Sequence, residues 1–230
     1  LATVGIVAAL NKIADAFSDA SDKATEFETN VAMVSTVADT TVLSADQLST
    51  QISGLSKDTA KNVNELADAT YNAISAGVAT EGAVETVGEA SKLAKAGFTS
   101  SASALSVLTT ALNAYQLEAS EVTNISDSLI TSQNLGVMTI DQLSSSMGKA
   151  ISTASAYSID LYNLESGYIS LTKAGVSVEE STTYISSMFN ELGDSSSEVA
   201  GVIMEETGQS FGQLMKSGYS LADVLEILYN

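Results

Sequence analysis

The chain has 230 residues, of which 28 are acidic and nine are Lys, so its net charge is −19, and it contains no Cys, His, Trp or Pro. These absences exclude disulfide frameworks, thiolate sites and every catalytic or metal site that requires His. The charge predicts no direct nucleic-acid binding, because phosphate neutralisation requires clustered Lys and Arg, and the stretch VGIVAAL near the start is too short for a membrane span.

The first predicted element is one long helix over residues 4–36. Its apolar residues recur in steps of four and three, which is the heptad pattern of coiled coils. We therefore expect residues 1–40 to be a coiled-coil-type helix that forms a homo-oligomer or partner seam through Ile6, Leu10, Ile13, Phe17, Phe27, Val31 and Val34. Another face carries Asp15, Asp19, Asp22 and Glu26, which we interpret as a solvated face rather than a metal site.

Residues 41–230 are predicted to form a compact all-α module of short capped helices. In a capping box, a Ser or Thr caps the first amides of a helix while a Glu or Gln three residues later reaches back to it. This spacing predicts helix starts at Ser44 with Gln47, Thr139 with Gln142, and Ser177 with Glu180. Apolar steps of three and four residues indicate the helices, and Gly residues are predicted to end them. No segment shows the alternating apolar and polar pattern that indicates a β-strand.

Three of the predicted helix stops are evenly spaced. Gly97, Gly136 and Gly175 lie 39 residues apart, and each is followed by an apolar residue. A period of this length that contains two helices is typical of helical-hairpin repeats, in which each unit buries its apolar stripe on the next. An irregular all-α domain with helices of similar length would produce the same spacing, and the sequence leaves both interpretations open.

Two short motifs are candidates for a catalytic site or for membrane packing. Ser146 and Lys149 match S-x-x-K, but the S-D-N and K-T-G motifs of the enzymes that use it are absent. Gly208 and Gly212 form a G-x-x-x-G in a polar context, which favours a turn or a close helix contact over membrane packing. We therefore predict no catalytic, cofactor-binding or metal-binding residues, and no enzyme activity. Because the chain begins with Leu1, we expect it to be a fragment of a longer protein.

From about Phe27 to Tyr229, the order of segments resembles phage tail tape measure proteins, which are large minor tail proteins. The segments that carry the resemblance are FETNVAMVSTVA, ELADATYNAISAGV, ASKLAKAGFTSSASALSVLTTALNAY, TSQNLGVMTIDQLSSSMGKA, LTKAGVSVEESTTYISSMFNEL and TGQSFGQLMKSGYSLADVLEIL. The resemblance implies a structural role in tail assembly and tail length determination. It places the protein in the tail tube lumen of the virion, and in the host cytoplasm during assembly.

The partners that this resemblance implies are tail tube proteins, tail-tip or baseplate proteins, and tail assembly chaperones. It carries no individual functional residue to this sequence. One alternative is a secreted or surface-exposed helical structural protein, such as a flagellin-like or adhesin-like segment, which an acidic, Cys-free, Ser- and Thr-rich composition also suits. A second alternative, an enzyme or small-molecule binder, requires a deep pocket with converging polar groups.

Overall fold

The computed structural model describes the backbone of residues 2–229 and the side chains of residues 12, 14–16 and 18–229. Within residues 2–229 the secondary structure is helical, with no strand, which confirms the all-α fold class. The helices are α1 Ala2–Val37, α2 Ala45–Thr59, α3 Val63–Ser75, α4 Thr80–Ala96, α5 Ser101–Tyr115, α6 Val122–Leu135, α7 Ile140–Ala156, α8 Leu161–Lys173, α9 Val178–Gly193, α10 Glu198–Thr207, α11 Phe211–Lys216 and α12 Leu221–Tyr229. A 3-10 turn, Ala119–Glu121, precedes α6.

The three predicted capping boxes are confirmed. Each capping side chain accepts a hydrogen bond from the backbone N–H three residues later, and the Gln or Glu at that position accepts one from the cap. At the start of α9, the Glu180 N–H donates to the Ser177 hydroxyl at 3.2 Å, and the Ser177 N–H donates to the Glu180 carboxylate at 3.4 Å. Local sequence therefore fixes where these helices begin.

The chain divides into two compact units, residues 1–87 and residues 88–230. In the first unit, α1 packs against α3 and α2, and α2 packs against α3. The backbone N–H of Asp39, just after α1, donates to the Thr80 hydroxyl at 2.8 Å. The end of α1 thus belongs to the same packed unit as α2 and α3, and the boundary expected at residue 40 stays a prediction.

The second unit contains a stack of helical hairpins, α5 to α9, which we call the hairpin stack. Helix α5 packs along α7, α7 packs along α9, and α6 packs against α8, so alternate helices lie side by side. The Ser155 hydroxyl of α7 donates to the Ala114 carbonyl of α5. Helices α10 and α11 pack against α9, where the rings of Tyr157 and Phe211 lie 5.8 Å apart. Over α5 to α9, the packing favours the helical-hairpin interpretation.

The evenly spaced glycines have different structural roles. Gly175 has a φ of +91°, which an L side chain rarely adopts, and it ends α8 as expected. At the first stop the left-handed residue is Phe98, with a φ of +53°. Gly97 is instead needed for close packing, because a Cβ there would lie 2.6 Å from Cγ1 of Ile140. Gly136 has an extended conformation. The 39-residue period therefore reflects hairpin length more than a repeated turn.

Buried hydroxyl groups explain how a chain rich in Ser and Thr forms a core. In α8 and α9, Thr172 donates to the Tyr168 carbonyl at 2.7 Å, and Thr182 donates to the Val178 carbonyl at 2.9 Å. The Tyr168 hydroxyl lies 2.6 Å from the Thr182 hydroxyl and joins the two helices. Because a buried hydroxyl is costly only when it lacks a partner, these side chains pack between helices with their hydrogen bonds made.

Candidate functional site

Only the end of the predicted seam of α1 has described side chains. Ile6, Leu10, Ile13 and Phe17 lie outside the residues whose side chains are described. Phe27 is half-buried, whereas Val31 and Val34 are 6% and 0% exposed. Since α1 packs against α3 and α2, Val31 and Val34 at the end of the seam are covered within the chain.

The acidic face of α1 is exposed to solvent. Asp15, Asp19, Asp22 and Glu26 are all exposed, and Asp19 forms an exposed ion pair with Lys23 at 2.8 Å. Such pairs contribute little to stability. Across the described side chains, no group of three or more acidic residues is arranged to hold a metal ion.

The S-x-x-K motif lies on α7, and the G-x-x-x-G motif runs from the end of α10 into α11. Ser146 is half-buried and Lys149 is exposed, one turn apart on α7. Gly208 ends α10 with a φ of +69°, and a Cβ at Gly212 in α11 would meet open space, so this motif forms a turn rather than a close helix contact. None of the helices within residues 2–229 is both long and apolar enough to cross a bilayer.

A pocket lined by both polar and apolar side chains lies between α6 and α8, and the sequence did not predict it. Its volume is about 380 Å³. Two acidic side chains, an Asn and several hydroxyl groups line it, with three larger apolar or aromatic side chains. The lining residues are Asn124, Asp127, Ser128, Thr131, Ser132, Leu135, Tyr162, Glu165, Ser166 and Ile169.

Glu165 is the central group of this pocket, which we call the Glu165 pocket. Its side chain is only 3% exposed, and the Ser128 hydroxyl lies 3.0 Å from its Oε1. The same hydroxyl lies 2.9 Å from the Ile125 carbonyl. Because a serine has one hydroxyl hydrogen, it cannot donate fully to both acceptors. The Ser128 hydroxyl therefore shares its hydrogen between the Glu165 carboxylate and the Ile125 carbonyl, which weakens its support of the ionised carboxylate.

The electrostatics of the pocket favour the neutral form of Glu165 more than those of an exposed carboxyl group. Burial is the main cause that raises the pKa of Glu165 to about 7; hydrogen bonds from Ser128 and Ser132 oppose the rise, and the charge of Asp160 adds a smaller contribution to it. Burial, together with Asp160 and Glu165, also raises the pKa of the nearby Tyr115, whose hydroxyl is buried with no hydrogen-bond partner within the described structure. At neutral pH, Glu165 is therefore divided between its neutral and ionised forms.

Sequence reasoning missed Glu165 because its burial depends on α6, 37 residues earlier in the chain. One signal was present. Glu165 follows Leu161 by four residues and precedes Tyr168 by three, which places an acid on the apolar face of α8. A carboxyl group on the buried stripe of an amphipathic helix predicts either a partner or a raised pKa.

Comparison with known proteins gives two matches. The model of a family described as phage-related minor tail protein matches residues 49–230. A probable tape measure protein of Clostridium phage phiCD119 is 28% identical to the chain over 219 residues, which are 91% of this chain. The chain spans 23% of the length of that relative. No solved structure matches the chain.

Proposed function

Because this chain belongs to the family of phage-related minor tail proteins, we propose that it is the core segment of a tape measure protein. It acts in tail assembly and in tail length determination as a structural component, without catalysis. The family match over residues 49–230 carries this proposal, and the likeness to a probable tape measure protein over 91% of the chain supports it. Both matches favour this role over a secreted or surface-exposed helical protein.

The charge of the chain supports a place inside the tail tube. In this proposal, the protein occupies the tube lumen of the virion, after assembly in the host cytoplasm with tail tube proteins, tail-tip or baseplate proteins and tail assembly chaperones. DNA passes through the same lumen. A net charge of −19 with no Arg offers DNA no release of counterions, so the surface does not retain it.

We further propose that the two parts of this segment have different tasks. Residues 1–40 form the beginning of an extended helix, whose seam before Val31 binds a second copy or a partner helix. Residues 41–230 form a module for assembly or docking at one end of the tape. The hairpin stack supports this division, because folded-back helices contribute little length, whereas an extended helix contributes about 1.5 Å per residue.

A stop codon tests the tail role. Changing the codon of Gln51 to amber in the phage that carries this gene is expected to abolish infectious particles and leave heads without tails of defined length. A host with a glutamine-inserting suppressor restores the wild-type chain and is the matched control. Infectious particles with tails of normal length in the non-suppressing host would contradict the proposed function.

The seam is tested on the purified chain. Replacing Phe17 and Phe27 with Ser is expected to lower self-association in analytical ultracentrifugation or reduce helical circular dichroism, because an isolated helix gains most of its stability from packing. The exposed change Asp22→Asn is the control and should alter neither signal. If the Phe variants behave like this control, α1 has no interface at these positions.

A further inference from the structure

The Glu165 pocket has the features of a binding site that family membership does not explain. It joins a buried carboxyl group, an exposed acid and several hydroxyl acceptors in one cavity between α6 and α8, and none of its lining residues is basic. We infer that this pocket receives an arginine side chain from a partner protein. The inference concerns the chemistry of the pocket and does not depend on the proposed tail role.

The acceptors of the pocket suit a guanidinium group. Glu165 contributes a buried carboxyl group to the lining, and Asp127 adds an exposed acid. A guanidinium group carries five N–H donors in a planar fork, so it can engage a carboxylate with two bonds and neighbouring hydroxyl oxygens with others. An ammonium group is a more strongly hydrated point charge and fits such a set less well.

The mouth of the pocket suits the rest of an arginine side chain. Tyr162 is 60% exposed and Leu135 is 51% exposed, and both line the cavity. Arginine commonly stacks its guanidinium plane on aromatic rings and lays its methylene groups along apolar surface. The two exposed side chains therefore form an apolar and aromatic wall beside the acidic side chains of Glu165 and Asp127.

The composition indicates where the arginine comes from. The sequence contains no Arg, so neither this chain nor a second copy of its 230 residues can supply the guanidinium group. The strongly negative charge of the chain also draws basic partners towards it. The arginine therefore lies outside these 230 residues, and we assign it to a different protein with an exposed arginine.

Binding is coupled to the protonation of Glu165. Only the ionised carboxylate forms an ion pair, and the burial of Glu165 favours the neutral acid, so capture of arginine releases a proton near neutral pH. The other titratable groups around Glu165 are Asp127 of α6, Asp160 at the start of α8 and Tyr115 of α5. Both acids favour the bound cation, so arginine should bind more tightly as the pH rises through about 7.

Nuclear magnetic resonance on the purified chain tests this site with N-acetyl-arginine amide as the probe. Backbone signals of Ser128, Ser132 and Glu165 are expected to shift and saturate, with a Kd of the order of 10 mM or below. The affinity should be at least about fivefold higher at pH 8 than at pH 5.5, because about 1 kcal/mol separates binding to the ionised and neutral acid. N-acetyl-citrulline amide, which has nearly the same shape without the charge, should not bind.

Three variants decide the outcome. Glu165→Gln should weaken arginine binding at least tenfold and remove its pH dependence, and Asp127→Asn should weaken it less. Glu179→Gln, an exposed acid on α9, is the matched control and should bind like the wild type. Circular dichroism checks that each variant is folded, and if Glu165→Gln is not folded, the binding of Asp127→Asn is the deciding result.

The inference would be overturned by equal binding of N-acetyl-citrulline amide, by the absence of saturable arginine binding, or by full binding of the deciding variant. Equal binding of N-acetyl-lysine amide would overturn the arginine assignment.

Discussion

Helix α1 and the hairpin stack are both helical but differ in how their side chains are used. From residue 18 to residue 30 of α1, every side chain is exposed except the half-exposed Phe27 and Asn30. In the hairpin stack, each helix has a buried face, and side chains such as Leu108, Met147 and Phe189 are at most 1% exposed. Heptad spacing thus predicts a helix in both regions without indicating whether its apolar face is covered within the chain.

This difference separates a region that is stabilised by its own chain from one that is not. Long helices in water gain most of their stability from packing of their apolar face, so residues 18–30 gain little from this chain alone. The hairpin stack buries its stripes between its own helices and needs no partner to do so. We therefore expect α1 to depend on a partner for its folding and the hairpin stack to fold independently.

The largest effect is expected from removing buried volume in the stack. Met147 of α7 is 0% exposed, and Met147→Ala should lower the free energy of unfolding by about 2–5 kcal/mol through lost burial and a cavity. Met33 of α1 is 46% exposed, and the same substitution there should change the stability by less than about 0.5 kcal/mol. Urea denaturation of both variants measures the two values. Equal losses of stability in the two variants would contradict the difference between the hairpin stack and α1.

The pH dependence of stability should also originate in the stack. The pKa of Glu165 is raised by burial to about 7 in the folded state, so its stabilising contribution is complete below the unfolded pKa and is lost as the pH rises through about 7. Between pH 5 and pH 8, we expect the wild type to lose about 2–3 kcal/mol more than Glu165→Gln. Denaturation series at both pH values measure this difference. Glu26→Gln on exposed α1 should keep the wild-type slope, and an unchanged slope in Glu165→Gln would exclude Glu165 as the source.

Adding a single methyl group should have opposite effects on stability at Gly97 and at Gly54. In Gly97→Ala, the new Cβ would lie 2.6 Å from buried Ile140, so overpacking should cost about 1–3 kcal/mol. A Cβ at Gly54, inside α2, meets nothing within 4 Å, so Gly54→Ala should stabilise the protein by about 0.5–1 kcal/mol through helix propensity. Thermal unfolding of the two variants should shift in opposite directions. An unchanged or higher melting temperature in Gly97→Ala would mean that packing does not require a glycine at this position.

The smallest effect concerns a helix cap. Ser177→Ala removes the side-chain acceptor of the capping box of α9 and should cost about 1 kcal/mol. Ser21 lies exposed within α1, and Ser21→Ala should be neutral or slightly stabilising, because Ala is the better helix former. Denaturant titration separates these outcomes. No loss in Ser177→Ala would show that the cap does not set the start of α9.

The sequence allowed prediction of the features that depend on neighbouring residues. Three capping boxes and the apolar stripes were predicted because their partners lie within four residues along the chain, whereas the capping box of Ser210 with Gln213 at the start of α11 was not. The roles of Gly97 and Glu165 were not predicted, since Gly97 meets Ile140 43 residues later and Glu165 meets Ser128 37 residues earlier. Helices α10 to α12 were not predicted either, and all three have at most ten residues, which gives few turns to establish a period.

One measurement tests most directly the claim that the stack is a compact module rather than part of an extended ruler. Deleting Val137 to Gly175 from the intact protein removes α7 and α8, including the helix that packs between α5 and α9. Electron micrographs of the resulting phage should show no tails or misassembled tails. Normal, infectious tails shortened by about 60 Å, the length of 39 residues of extended helix, would contradict the account and make this segment part of the ruler.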